Sequence, residues 1–491
     1  MFRDINLSLL DMLGDDFIKS VCEANSYLGF MSYDEAYSIA NQKVSFFPEK
    51  AQRLNDELLS KVGTSVIGSC GCDNKGCPTD SYAKATHINA SPITGFGCYR
   101  IGQDGKLYLT GKSEHYHSSL GHRFAGYKLI DNARKLGILN PTHNNTRGYV
   151  TRLLEEKIIK EINIPKLDRI INLETGSLAV EAGVKMMLSR FYKLDKSFAA
   201  PKYSGKVPVF FVMADKTGAS EANYHGTTVI TQTFRNMWPE FYAKAEAADL
   251  YKVVPVMIND INDFKAKIEQ YNQGKYKTAG FLHEIILMNY GGIKLHYDYL
   301  QAAHKLCKET DTPVLVDEIQ SCMWYKGMFL FKKYDLEPDF VVIGKGFSGG
   351  EYPASKIITT KEMDVLNQFG ALVTNGQEEL ASLSYLITMK FMEVNGDEVE
   401  RVSNYFDNRL KEFAKAHPEK VLYAEGMGLL AALHFSTLDA AKEFADHLNE
   451  KCIDSSAQIY KVNCPPAVLL KPPVISSCKV IDYIVEQIES V

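Results

Sequence analysis

Apolar, β-branched runs that end on a charged residue recur through the middle of this chain. Val207 to Asp215 reads VPVFFVMAD, Ala279 to Glu284 reads AGFLHE, Pro313 to Gln320 reads PVLVDEIQ, and Phe340 to Gly350 reads FVVIGKGFSGG. None of these alternates apolar with polar residues, as a half-exposed strand would. Helical sequence separates them, so they predict parallel strands buried on both faces, an α/β arrangement. The carboxyl ends of such strands share one edge, which is where α/β proteins bind ligands. That edge would collect Asp215, Glu284, Asp317 and Lys345. Further upstream, INLETGSLAVEAGVKMMLSRFY (Ile170 to Tyr192) sets Thr175, Gly176 and Ser177 before Ala179, Val180, Ala182, Val184, Met187 and Phe191. The near-helical spacing of those apolar positions marks a loop that opens a helix.

The rest of the chain falls around this centre. Amphipathic stretches such as SLLDMLGDDFIKSVCEA and EKAQRLNDELLSKV predict a mostly helical N-terminal extension over residues 1–93. Residues 94–139 read as the N-terminal part of a small domain and a linker, and 140–369 as a large domain whose mostly parallel central sheet is flanked by helices. Residues 370–491, with LDAAKEFADHLNEKC and a final VIDYIVEQIESV, read as a smaller α+β domain packed with the early strands near 95–110.

A lysine delivered to a sheet edge has a specific chemical use. Its ε-amine, desolvated and lowered in pKa, forms a Schiff base with an aldehyde. Pyridoxal 5'-phosphate is the obvious aldehyde, and its pyridine nitrogen needs an anionic partner to stay protonated, a role that Asp317 fits. The loop at Thr175 to Ser177 suits the phosphate, because free N–H groups and the positive dipole end sit at a helix start and glycine lets the backbone come close. Taken singly, each is also an ordinary feature: a surface lysine, an Asp at a strand-end turn, a helix cap.

Together these residues resemble the class III pyridoxal-phosphate aminotransferases of fold type I, in the aspartate aminotransferase superfamily, from about Thr94 to Val491. The family segment SGxEAxExAxKxAR is matched by TGSLAVEAGVKMM, and its YHG or FHG triplet by Tyr224, His225 and Gly226. Its DExQ is matched by Asp317 to Gln320, and SKxxGGGxP by Gly344 to Pro353. TxGGNPLAxA appears as TNGQEELA (Thr374 to Ala381), with Glu378 and Glu379 in place of Asn-Pro. IGQDGKLYLTGKSEHYHSSLGH is similar to DxDGxxYLDxxxGxxxxxLGH. The resemblance implies that Lys345 carries the Schiff base and shuttles the proton, and that Asp317 holds the pyridinium nitrogen. It implies further that Gln320 bonds the phenolic oxygen, Tyr224 stacks on the ring with His225 beside it, and Gly176 and Ser177 hold the phosphate. Thr374 would join them from the neighbouring subunit of a homodimer. Glu284 matches the start of the family's EPxxG segment, although Ile285 replaces the proline.

The activity so implied is a transaminase that moves an amino group from an amine or amino acid donor to a keto acid or aldehyde. A racemase, epimerase or aminomutase would use the same lysine and aspartate, and a non-catalytic binding or metal-sensing protein on the same scaffold is a third reading. Two departures bear on substrate. Many members carry a carboxylate-gripping arginine in a late RxxPP segment, where this chain has Leu469, Leu470, Lys471, Pro472 and Pro473. Without it, ω-amines, or substrates whose carboxylate sits elsewhere, are expected to be preferred unless Lys471 or the N-terminal extension compensates. The family's GxGRTG becomes CMWYKG (Cys322 to Gly327), which makes Trp324 and Tyr325 either pocket-lining or core residues.

Composition is consistent with small-molecule chemistry. A 491-residue chain that is 45% hydrophobic can bury a large core, and a net charge of −5 gives no basic field for nucleic acid. No apolar stretch reaches the roughly 18 to 20 residues of a membrane span, and MFRDINLSLLDMLGDDF has acids where a secretion signal is apolar, so a cytoplasmic protein is expected. Seven cysteines are scattered singly and read as free thiols. Cys70, Cys72 and Cys77 in GSCGCDNKGCPTD could place three thiolates around zinc or an iron–sulfur cluster, but that set is one ligand short, and the alternative is a loop of free thiols. No metal is therefore assigned, and His115 and His117, on another segment, read as ordinary polar positions.

Overall fold

In the computed structural model, all residues are described except 73, 75, 78, 81–90, 113–118, 141–145, 354, 459–460 and 462. The N-terminal part is mainly helical (Leu9–Leu13, Asp15–Tyr27, Tyr33–Asn41, Glu49–Glu57). A three-stranded antiparallel sheet follows, of β1 (Pro92–Phe96), β2 (Tyr99–Gly102) and β3 (Leu107–Leu109). The centre is a seven-stranded sheet of β4 (Leu167–Leu173), β5 (Val207–Met213), β6 (Lys252–Val256), β7 (Tyr276–His283), β8 (Val314–Asp317), β9 (Phe340–Gly344) and β10 (Ser355–Thr360), in the order β4-β10-β9-β8-β7-β5-β6. All the neighbours from β9 to β6 run parallel, and β10 is antiparallel to both β9 and β4.

The expected two-sided burial is visible residue by residue. In β5, Phe210 and Val212 enter one hydrophobic cluster, with the helix Gly176–Leu188, while Val209, Phe211 and Met213 enter the other. Alternating side chains reach opposite faces of a strand, so a run apolar at every position needs cover on both.

A four-stranded antiparallel sheet lies toward the C-terminus: β11 (Tyr423–Met427), β12 (Leu430–His434), β13 (Ser456–Ala457) and β14 (Ala467–Leu470). Segments flanking it bridge to the early part of the chain, Ile453 to Leu109 at the end of β3 and Lys471 to Lys112. A 38-residue helix, Glu379–Ala416, that the residue pattern had not suggested packs against β11 and the helix Tyr149–Ile162. Its first half is buried on nearly every side. Glu379, one of the two acids replacing Asn-Pro, has a structural task at its start. The Glu379 carboxylate accepts the N–H groups of Val150 (2.7 Å) and Thr151 (3.1 Å), which head the helix Tyr149–Ile162, and the Thr151 hydroxyl (2.7 Å). A carboxylate there satisfies orphan donors and complements the helix dipole. Among the described residues, no helix is long and apolar enough to cross a membrane.

Candidate active site

The carboxyl ends of β7, β8 and β9 and the start of the helix Gly176–Leu188 enclose a cavity of about 500 Å³. That is within the range of small-molecule and cofactor sites. Of the residues singled out from sequence, Gly176, Ser177, Tyr224, Glu284, Asp317, Gln320 and Lys345 line it. His225 stands one layer behind. Thr374 is exposed and does not line this chain's cavity. Asp215 does not line it either: its Oδ1 accepts the N–H groups of Thr217 (2.8 Å) and Ala219 (3.0 Å), so this strand-end acid caps a turn rather than serving chemistry.

Asp317 is the last residue of β8, paired with Val342 of β9, and Lys345 follows β9 directly. Adjacent parallel strands thus bring acid and lysine to one edge. Lys345 has φ +44°, the left-handed region that a β-branched or long side chain adopts at a cost and that clusters at functional sites. Behind it Gly346 has no room for a side chain, since a Cβ would lie 2.4 Å from the Trp324 ring. Trp324 and Tyr325 are core residues, 1% and 4% exposed, and neither lines the cavity.

Asp317 is 3% exposed; its Oδ1 accepts the Ile319 N–H at 3.1 Å, and its Oδ2 is 3.0 Å from His225 Nδ1. A carboxylate only accepts, so the Nδ1 hydrogen faces it. The other ring nitrogen, Nε2, is buried and has no hydrogen-bond partner among the described residues. Tyr224 presents its ring to the cavity, and the Arg235 guanidinium lies over that ring, 4.8 Å from its centroid.

The cradle at the helix start is tight. Thr175 caps the helix by accepting the Leu178 N–H, and the N–H groups of Gly176 and Ser177 have no acceptor within the helix, as at any first turn. A Cβ on Gly176 would lie 2.1 Å from Ile319 Cδ1, and one on Gly226, at φ +110°, would lie 2.7 Å from Ser177 Cα. Unpaired N–H groups, a dipole end and two positions that exclude side chains fit a phosphate dianion. A lysine at the strand end, a buried carboxylate beside it and a tight helix start together fit pyridoxal 5'-phosphate. Among the described residues no group of three or more His, Cys, Asp and Glu is placed to hold a metal. Cys70 is half-buried and Cys72 and Cys77 are exposed free thiols, while His115 and His117 lie outside the described residues.

Asn289, Tyr352 and Lys461, and the partner of Lys471, are features of the site that the sequence did not suggest. Asn289 and Tyr352 line the cavity. Lys461, from the segment before β14, reaches Glu284's surroundings: its ammonium donates to the carbonyl of Asn223 at 2.8 Å, and burial pushes its pKa down to about 8 against the pull of Glu284. Lys471 is fully buried, and its Nζ donates to the main-chain oxygen (2.8 Å) and side-chain Oε1 (3.0 Å) of Gln320. It therefore does not stand in for an arginine at Leu469, which is itself wholly buried in β14. Only long-range contacts could reveal these pairings.

Comparison with known proteins places this geometry. The family described as "Aminotransferase class-III" matches residues 82–491. An acetylornithine aminotransferase of Aquifex aeolicus is 26% identical over 400 residues, 79% of this chain and 93% of that protein. An ornithine aminotransferase of Staphylococcus saprophyticus is 24% identical over 68% of this chain and 79% of that protein. Among solved structures, the adenosylmethionine-8-amino-7-oxononanoate aminotransferase of Methanocaldococcus jannaschii superposes with a TM-score of 0.66 at 20% identity, over 89% of this chain and 98% of that one. A PMP-bound aminotransferase of Vibrio fluvialis gives 0.67 at 18% identity, over 85% and 95%. Family and fold agree with a site built for an aldehyde cofactor: this chain belongs to the class III aminotransferases, fold type I enzymes that use pyridoxal 5'-phosphate to transfer amino groups.

Proposed function

We propose that this enzyme takes its amino group from an ω-amine donor, or from a donor whose carboxylate lies away from β14, and passes it to a keto acid or aldehyde at the cavity described above. The observation that carries the site assignment is the placement of Asp317 and Lys345 at the ends of neighbouring parallel strands, facing one cavity with the Gly176 helix start. When bound, pyridoxal phosphate supplies the aldehyde that accepts the amino group and the ring that acidifies the donor's Cα–H. The residues divide the remaining work. Lys345 would hold the cofactor's aldehyde through Nζ and would move the proton between donor and cofactor. Asp317 holds the ring nitrogen protonated, and His225 orients Asp317. Gly176 and Ser177 bind the phosphate, with Thr374 of a partner subunit in a homodimer. Tyr224 packs on the ring, Gln320 donates to its phenolic oxygen, and Glu284 borders the substrate side.

The donor class is supported by the absence of arginine at Leu469 and by relatives named for ornithine, acetylornithine and putrescine. The protein is expected to be yellow after reconstitution, borohydride to fix the cofactor on Lys345, and amino transfer to pyruvate or 2-oxoglutarate to be faster from ω-amines than from matched α-amino acids. Label on another lysine would overturn the site assignment, and a strong kcat/KM preference for the α-carboxylate member of each pair would overturn the donor class.

A further inference from the structure

Lys471 stands two residues after the position where many relatives carry their arginine, at the exit of β14, with its main-chain N–H bonded to Gly111. Its side chain is 0% exposed. The ammonium lies 4.1 Å from the centroid of the Trp324 ring, and the Trp324 indole N–H donates to the carbonyl of Pro472 at 3.3 Å, so ring and strand hold one another. The two Gln320 oxygens at 2.8 and 3.0 Å accept from it.

A glutamine amide offers an oxygen on one side and an NH2 on the other, and which faces which is ordinarily settled only by its neighbours. Here the neighbour decides it. An ammonium has three hydrogens and no lone pair, so the amide oxygen must turn to Lys471 and the NH2 must turn away. Gln320 is 4% exposed and lines the cavity. We propose that Lys471 is a positioning residue that fixes the Gln320 amide as a hydrogen-bond donor toward the cavity. This rests on the site assignment above, in which the acceptor is the cofactor's phenolic oxygen.

The test reads the pH midpoint of the bound cofactor's visible absorbance in protein reconstituted with pyridoxal phosphate. A donor at the phenolic oxygen favours the chromophore that has lost its proton, so losing the donor raises the midpoint. Gln320→Leu and Lys471→Met are each expected to raise it by about one unit, tenfold in proton affinity, while Lys471→Arg, again all donor, keeps it. The other titratable groups lining the cavity, Glu174, Tyr224, Glu284, Asp317, Lys345, Glu351 and Tyr352, are the same in every variant. Removing a positive charge alone would also raise the midpoint, so the double variant decides. If Lys471 acts through Gln320, Lys471→Met adds nothing in the Gln320→Leu background; additive shifts would overturn the proposal. If Lys471→Met does not accumulate, Gln320→Glu keeps Lys471 paired but donates nothing when ionised, and an unmoved midpoint there would equally overturn it. Protein that shows no visible cofactor band at all refutes the site assignment itself; a normal band with an unmoved midpoint in Lys471→Met refutes only the positioning role.

Discussion

Asp317→Asn isolates charge from shape. The amide keeps an oxygen for the Ile319 N–H, now accepted at 3.1 Å, and fills the same volume at the end of β8. What it loses is one negative charge on a group 3% exposed, together with the pure acceptor that faces His225 Nδ1. Hydrogen bonds to charged groups contribute about 1.5–3 kcal/mol, roughly twice a neutral one, and a water-poor surrounding strengthens them. The ring nitrogen would lose both that bond and the field that keeps it protonated. We expect a loss of at least about 2.7 kcal/mol in transition-state stabilisation, or a hundredfold in turnover. The fold should barely respond, because asparagine keeps the volume of aspartate and an oxygen for the Ile319 N–H. The assay is the single-turnover half-reaction with a saturating donor, alongside cofactor content and Tm. Turnover within about threefold of wild type, with cofactor bound and Tm preserved, would refute the role given to Asp317.

Two further outcomes follow from buried and exposed groups. Burial pushes the Glu318 carboxyl up to about 7, against roughly 4.3 in an unfolded chain, so between these values the folded state holds a proton that the unfolded state has lost, and stability falls as pH rises through that window. Glu318→Gln should flatten the fall in Tm between pH 5 and pH 8, and an undiminished slope would show that the burial of Glu318 is not its cause. Thr374 is exposed in the single chain, so mixing Lys345→Ala with Thr374→Ala protomers should restore activity in heterodimers that hold one intact site; exchanged subunits with no activity above the parents would refute a shared site.

The chain announced its centre clearly because local pattern and global fold agree there. Runs such as VPVFFVM can be buried at every position only in a sheet covered on both faces, and that condition fixes where Asp317 and Lys345 emerge. The helix after Thr175 was readable for the same reason: cap, glycine and apolar spacing all point to one start. Asp215 misled because a strand-end acid that binds two turn N–H groups has the same sequence signature as one that faces a ligand. The helix Glu379–Ala416 was missed because its first half, apolar on most sides, carries no amphipathic stripe by which to recognise it. Lys461, and the partner of Lys471, were beyond reach, since the groups they pair with lie 238 and 151 residues away.

Two residues in segments that depart from the family pattern are buried and held by polar partners. Glu379, in place of proline, is buried at the head of its own helix and satisfies the first N–H groups of the helix Tyr149–Ile162. Lys471, beside the lost arginine, is buried against Trp324, itself within the altered CMWYKG segment, and holds Gln320. A buried charge without partners would cost several kcal/mol, so each such residue is tolerable only with its partners in place. Glu379 needs the helix start at Gly148 free of a side chain, where a Cβ would meet its carboxylate at 2.4 Å, and Lys471 needs the Trp324 ring and the Gln320 oxygens. The departures are therefore sets rather than single changes. Restoring an arginine at Leu469 alone would put a guanidinium into a fully buried strand whose cation site is already filled two residues on, and it would cost stability before it gripped any substrate.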